Sequence, residues 1–213
     1  MRIQLPRIYP ITDTRISSLT HTQQVKRLID GGATFIQLRD KTSSPRAFYD
    51  DASHALRIAR SAGVTIIIND RVDLALALGA DGVHLGQTDM PVSLARQLLG
   101  ANTIIGYSTH DLEQVGIAAD LPIDYLAFGP VFQTRSKQNP DPTVGLENLG
   151  TVKSLAGSRP LVAIGGISRA TVAGVVEAGA DSAAVISDIL SAPVRITENM
   201  RDLLLIAGND QQR

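Results

Sequence analysis

Residues 64–89 fix the kind of fold this chain can adopt, because they read as strand, helix and strand in one unbroken unit. Val64 to Ile68 is a β-branched run suited to a parallel strand buried on both faces, and Asn69 and Asp70 stand where it ends. Val72 to Leu78 is apolar at helical spacing, and Gly79 is placed to stop that helix in a left-handed turn. Gly82 to Leu85 gives the next strand and delivers Gln87 and Asp89 just past its end. If the two strands are parallel neighbours, the carboxylates Asp70 and Asp89 face one mouth.

The same theme runs through the rest of the chain. Strands are expected at Arg7 to Thr12, Thr34 to Leu38, Thr103 to Tyr107, Asp124 to Phe128, Pro160 to Ile164 and Asp181 to Ile186. Helices are expected at Thr22 to Asp30, Pro45 to Ser61, Pro91 to Leu99, Asp111 to Ala119, Leu146 to Leu155, Arg169 to Ala178 and Pro193 to Leu205. Residues 129–145 read as a long polar loop, and Gly208 to Arg213 as a frayed tail. Eight strands alternating with helices at roughly 25 residues a unit argue for one closed (β/α)8 barrel, the TIM barrel, over the whole chain. The competing fold, an open doubly wound sheet, would favour a Gly-x-Gly-x-x-Gly turn after the first strand, and none is present.

The turns Gly32-Ala33-Thr34, Gly79-Ala80-Asp81 and Gly179-Ala180-Asp181 each precede an even-numbered strand. They fall on the amino-terminal face, where a barrel is stabilised, so Asp81 and Asp181 are read as structural acids.

Length and charge exclude several function classes. A chain of 213 residues with 44% hydrophobic and 19% charged residues has the composition of a soluble globular protein. Twenty basic residues against 21 acidic ones leave a net charge of −1, so nucleic acid is not an expected partner and any anion must be bound locally. No cysteine is present, which rules out disulfides and thiolate metal sites. Met1 to Arg7 lacks the apolar core of a signal peptide and no run has the length of a membrane span, so the cytoplasm is the expected compartment and no membrane is expected as a partner. A homo-oligomer stays open.

In a barrel the carboxyl ends of the strands carry the chemistry. Strand two offers Gln37, Arg39 and Lys41, spaced by two so that an extended backbone points them the same way. Strand three ends in Asn69 and Asp70, strand four in His84, Gln87 and Asp89, and strand five in Ser108, Thr109 and His110. Strand six opens the loop Gly129 to Lys137, strand seven ends in Gly165-Gly166, and strand eight in Ser187 at the start of a short helix.

Three devices can be read from this rim. Asp70 and Asp89 are hard oxygen ligands without a histidine or sulfur cluster, a set that suits Mg²⁺ completed by water and phosphate. Arg39, Lys41, Ser108 and Lys137 would converge on a phosphate chain. Gly165-Gly166 and Ser187 match the usual barrel phosphate site of backbone N–H groups and a helix N-terminus. Each has a plainer reading: Asp70 as a helix N-cap, Arg39 and Lys41 as solvated charges, His84 as a barrel-interior histidine, His110 as part of a helix start, Gly165-Gly166 as a tight turn.

Taken together, Gln37-x-Arg39-x-Lys41, Asn69-Asp70, His84-x-Gly86-Gln87-x-Asp89, Gly129-Pro130-x-Phe132-x-Thr134-x-Ser136-Lys137, Gly165-Gly166-Ile167 and Val185-Ile186-Ser187 resemble the motif set of thiamine phosphate synthases, in order and over nearly the whole chain. The resemblance implies a transferase of thiamine biosynthesis that joins 4-amino-2-methyl-5-hydroxymethylpyrimidine diphosphate to a methyl-hydroxyethylthiazole phosphate, with Mg²⁺. It implies that Asp70 and Asp89 hold the metal, that Gln37, Arg39, Lys41, Asn69, Ser108 and Lys137 surround the pyrimidine diphosphate, and that Arg39, Ser108 and Lys137 act on the leaving group. Thr134, Ser136, Gly166, Ile186 and Ser187 would take the thiazole and its phosphate. Ser136 stands where the family more often has Thr, and Arg135 is an additional charge.

Three alternatives remain. The related thiazole tautomerase shares the fold and places a catalytic histidine at the position of His110, but it characteristically lacks the Gln-x-Asp and loop Lys seen here. A non-catalytic barrel binding thiazole or thiamine phosphate would not require both Asp70 and Asp89. An indole-glycerol-phosphate or epimerase type barrel would need a Lys or an acid pair as base on the strand ends, where none is clear.

Overall fold

The computed structural model describes residues 3–134 and 141–208. Eight parallel strands close into a barrel in chain order: β1 (Ile8–Thr12), β2 (Phe35–Leu38), β3 (Thr65–Asn69), β4 (Gly82–Leu85), β5 (Ile104–Thr109), β6 (Tyr125–Phe128), β7 (Leu161–Ile164) and β8 (Ser182–Val185). The ring is sealed by β8 on β1, with Ile8 opposite Ala183 and Pro10 opposite Val185. The helices are α1 (Thr14–Ser17), α2 (His21–Asp30), α3 (Pro45–Ser61), α4 (Val72–Leu78), α5 (Val92–Leu99), α6 (Leu112–Ala118), α7 (Leu149–Ala156), α8 (Val172–Glu177), α9 (Ser187–Leu190) and α10 (Ile196–Ile206). The chain is therefore a (β/α)8 TIM barrel.

The strands are buried along nearly their whole length because alternate side chains face two different cores. Ile66 and Ile68 pack outward under the helices, while Ile67 turns into the barrel with Tyr9, Phe35, Tyr125 and Val162. Gly106 on β5 is required by that inner core, since a Cβ there would lie 2.0 Å from Cζ of Tyr125. The tyrosine ring lies over the gap.

Local signals set the element ends. Ser44 caps α3 by accepting from the Ala47 amide, with Pro45 in the first turn. Gly79 ends α4 in the left-handed region at φ 58°. Pro193–Arg195 forms a 3-10 turn that delays α10 to Ile196, so the tail helix begins later than the pattern suggests. Likewise α7 and α8 start three residues later than expected, at Leu149 and Val172. Residues 209–213 of the expected frayed tail lie outside the described residues. Among the described residues no helix is long and apolar enough to cross a membrane.

The amino-terminal face is stitched by aspartates. Asp81 accepts from the Ile66 amide, Asp124 from that of Ile105 and Asp181 from that of Leu161, each at 2.7 Å. Each acid thus satisfies the amide at the start of the strand before its own, as suits the structural role expected of Asp81 and Asp181; Asp124 is a third that the sequence did not single out. Asp81→Ala is expected to lower folding stability by about 1–2 kcal/mol in urea denaturation while leaving turnover unchanged. A matching loss of turnover would place Asp81 in the chemistry instead.

Candidate active site

At the opposite, carboxyl-terminal rim lies a cleft of about 720 Å³. Gln37, Arg39 and Lys41 enter it from β2, Asn69 and Asp70 from β3, His84, Gln87 and Asp89 from β4, and Ser108 and His110 from β5. Thr134 and Asp141 reach it from the segment after β6, Gly165 and Gly166 after β7, and Ile186 and Ser187 after β8.

The basic side of the cleft is built on one buried acid. Asp13, 2% exposed, caps α1 and accepts from Arg15 at 3.0 Å and from Arg39 at 2.6 Å. Burial pulls the Arg39 guanidinium below its ordinary pKa, and the Asp13 charge opposes that pull. For Arg15 the hydrogen bond to Asp13 raises it. Two guanidinium groups are thereby held on the rim. The β2–α3 turn that follows is tied down by Asp40, which accepts from His21 at 3.2 Å and from the Thr42 and Ser43 amides at 2.8 Å. These bonds, the one from His21 first, hold the Asp40 carboxyl well below the usual carboxylate range.

On the neighbouring strand end, Asp70 sits at φ 62°, a left-handed conformation that is uncommon for a residue with a Cβ. Its amide donates to His84 O at 2.8 Å, and its carboxylate accepts from the Lys41 ammonium. Asp89 is anchored by the Gly86 amide, which donates to Oδ2 at 2.7 Å. Burial, and then the charge of Asp70, raise the Asp89 carboxyl above its ordinary pKa. Two carboxylates crowding each other in a half-buried cleft form an electrostatic environment that a cation relieves. Their donor set is hard oxygen, and no group of three or more His, Cys, Asp or Glu with metal-binding geometry occurs among the described residues. The pair therefore fits an ion that draws its remaining ligands from water and a bound phosphate, as Mg²⁺ does.

The floor is polar and fully paired. His84 bonds Tyr125 through Nδ1 at 2.9 Å and Ser108 through Nε2 at 2.8 Å. Burial pushes His84 down from 6.5 to about 4, so the imidazole is neutral at physiological pH. In an unfolded chain His84 takes up a proton below about 6.5, while the folded state refuses it until about 4. Stability should accordingly fall on acidification across that window, by up to roughly 3 kcal/mol. Urea midpoints between pH 7.5 and 4.5 check this: the wild type should lose more than His84→Asn, and parallel profiles would contradict the assignment.

The far wall depends on glycine. Gly165 and Gly166 have φ of 100° and 64°, and a Cβ on either would come within 2.4 Å of the β6 segment, at Pro130 or at Gln133 O. Phe132 N donates to Gly165 O at 3.0 Å and Val131 N to Ile164 O at 2.9 Å, so the start of the post-β6 segment is laid against this diglycine. His110 adds a tie, with Nδ1 2.5 Å from Gly129 O and Nε2 3.6 Å from Asp141. Ser187 opens α9 beside Gly166 on the cleft wall.

A family model described as thiamine monophosphate synthase matches residues 8–189. The thiamine-phosphate synthase of Koribacter versatilis is 46% identical over 200 residues, covering 90% of this chain and 92% of that protein. That of Chloroflexus aurantiacus is 41% identical over 208 residues, covering 97% and 95%. The chain belongs to the thiamine monophosphate synthase family. A solved structure, the thiamine phosphate pyrophosphorylase from Pyrococcus furiosus, superposes with a TM-score of 0.84 at 35% identity, covering 94% of this chain and 95% of that one.

The cleft brings together most of the residues that resemblance to the thiamine monophosphate synthases singles out: Gln37, Arg39, Lys41, Asn69, Asp70, Asp89, Ser108, Thr134, Gly166, Ile186 and Ser187 all line it. Arg135, Ser136 and Lys137 lie outside the described residues. Asp13, Arg15, Tyr9, Tyr125 and Asp141 are among the groups that the sequence reading missed. Asp13 and Arg15 follow β1 as Thr12-Asp13-Thr14-Arg15, a polar strand end like those on β2 and β3, which was the signal available. Tyr9 and Tyr125 sit within apolar strands, and nothing in their spacing announces that their hydroxyls meet under the cleft.

Proposed function

We propose that this chain is a thiamine-phosphate synthase, a transferase that couples 4-amino-2-methyl-5-hydroxymethylpyrimidine diphosphate to 4-methyl-5-(2-phosphooxyethyl)thiazole, or its carboxylated tautomer, and releases pyrophosphate. One observation supports the reading above others: the carboxylates Asp70 and Asp89 and the basic groups Arg39 and Lys41 share a single cleft in a chain of this family. A tautomerase or a monophosphate carrier has no use for such a diphosphate-sized charge array. We read the chain as one barrel domain acting on small molecules in the cytoplasm.

The pyrimidine's amino group feeds electrons towards its exocyclic methylene, so the methylene–oxygen bond breaks with both electrons leaving on pyrophosphate. The thiazole nitrogen lone pair then forms the new carbon–nitrogen bond. The protein supplies preorganised positive charge and donors where the leaving group becomes more anionic. Arg39, braced by Asp13, and Lys41 grip the diphosphate, Ser108 donates a hydrogen bond to it, and Gln37 and Asn69 orient the pyrimidine. Asp70 and Asp89 would hold Mg²⁺, which supplies Lewis-acid neutralisation of the departing charge. From the family motif, Lys137 joins the diphosphate set, and Thr134, Ser136, Gly166, Ile186 and Ser187 receive the thiazole phosphate. The segment after β6 keeps water from the electron-poor methylene.

Purified protein, both precursors and Mg²⁺ should release pyrophosphate in step with thiamine phosphate, and a chelator should abolish release until Mg²⁺ is restored. Conversion of the thiazole tautomer without pyrophosphate, or binding without turnover, would overturn the proposal.

A further inference from the structure

Under the cleft floor, five polar groups from five strands are joined end to end. Gln37 Nε2 lies 2.9 Å from the Tyr9 hydroxyl, Tyr9 3.0 Å from Tyr125, Tyr125 2.9 Å from His84 Nδ1, and His84 Nε2 2.8 Å from Ser108 Oγ. Tyr9 and Tyr125 are 1% and 0% exposed, so their hydroxyls have only each other and these neighbours. The two ends, Gln37 and Ser108, both line the cleft. The mechanism above uses those ends and leaves the middle without a role.

Such a chain has two fully bonded arrangements. In the first, Gln37 Nε2–H donates to Tyr9, Tyr9 to Tyr125, Tyr125 to His84 Nδ1, and His84 Nε2–H to Ser108. The serine hydroxyl then donates into the cleft, and the Gln37 carbonyl is the amide atom left to the ligand. In the second, every bond reverses: Ser108 donates to His84 Nε2, Nδ1–H to Tyr125, Tyr125 to Tyr9, and Tyr9 to Gln37 Oε1. The cleft then meets a serine acceptor and a glutamine NH₂. Both hold the same number of protons, differing in hydroxyl rotations, the His84 tautomer and a flip of the Gln37 amide. Any mixture leaves a buried hydroxyl hydrogen without an acceptor, or two lone pairs or two hydrogens face to face, which low dielectric makes costly. Burial raises the pKa of both phenols and keeps the imidazole neutral, so the chain carries no net charge.

We infer that Tyr9, Tyr125 and His84 form a polarised relay coupling the two ends of the cleft, so that an anion accepting from Ser108 fixes Gln37 as a hydrogen-bond acceptor for an amino group on the ligand ring. The diphosphate thus sets the selectivity of the pyrimidine subsite from across the barrel. Tyr9 and Tyr125 are positioning residues, acting through Gln37 and Ser108. This deepens the synthase reading and rests on it for the identity of the ring and of the anion.

Two measurements test it. In wild-type protein with ¹⁵N-labelled histidine, saturating inorganic pyrophosphate and Mg²⁺ should leave His84 as the Nε2–H tautomer with Nδ1 unprotonated; the Nδ1–H tautomer in that complex would overturn the relay. This readout needs no turnover, so it stands even if the synthase reading fails in the pyrophosphate-release assay. Secondly, wild type should prefer the 4-amino pyrimidine diphosphate to its 4-oxo analogue by kcat/KM, and Tyr125→Phe should cut that preference at least about tenfold by freeing the Gln37 amide to flip. Tyr9→Phe should do the same and serves where Tyr125→Phe does not fold. Variants that fold and keep the preference within about twofold would show the tyrosines to be packing alone.

Discussion

Asp89→Ala is expected to lower turnover at least about a thousandfold with little loss of fold, because on the proposed function it removes one of two carboxylates that would hold the cation against the departing pyrophosphate. Its backbone surroundings explain the second half of that expectation. Asp89 takes one amide bond, from Gly86, and lies close enough to Asp70 for that charge to raise its carboxyl, so deleting it removes a repulsion along with the bond. Asp89→Asn keeps shape and the Gly86 bond yet forfeits a charge, and should be nearly as slow. Rapid-quench single turnovers, with Mg²⁺ varied, read this directly: the variants should need far more Mg²⁺ and still fall short. Near-normal rates at ordinary Mg²⁺ would remove Asp89 from the metal.

Arg39 is the other residue whose loss should be severe. Its side chain is 11% exposed and fixed at 2.6 Å on Asp13, which is itself 2% exposed. A guanidinium so held meets a phosphate with planar, paired donors and without reorganising, which an ammonium on a flexible stem does not do. Arg39→Lys should therefore cost roughly a hundredfold in kcat/KM for the pyrimidine diphosphate, and Arg39→Ala more. The loss should appear in the pre-steady-state rate of pyrophosphate formation and in weaker inhibition by pyrophosphate. A rise in thiazole phosphate KM alone would move Arg39 to the other subsite. Asp13→Asn should give a milder version of the same defect, since Arg15 and Arg39 both lose their anchor.

The barrel was legible because each signal that specifies it is local. β-branched runs such as Thr65–Asn69, a left-handed glycine such as Gly79 and a Ser44-Pro45 helix start are properties of a few adjacent residues. Rim residues could be found the same way, because the end of a strand fixes which side of the barrel a side chain joins. What local reading could not supply was partnership across the ring. Asp13 and Arg39 are 26 positions apart, and Tyr9 and Tyr125 are 116 apart. Their contacts exist only once the strands close, and a tyrosine in an apolar strand reads as core, which by its ring it also is. Asp70 shows the same limit: its bond to His84 O comes with the β3–β4 pairing and its Lys41 contact with the β2–β3 pairing, neither of which its neighbours in sequence announce.

The most direct test of the account is a crystal structure of the protein with Mn²⁺ and pyrophosphate, the manganese located by its anomalous signal. The account predicts one metal peak ligated by both Asp70 and Asp89 and by pyrophosphate oxygens, with Arg39 and Ser108 on the same anion. A metal bound away from these two carboxylates, or pyrophosphate seated only at Gly166 and Ser187, would contradict it.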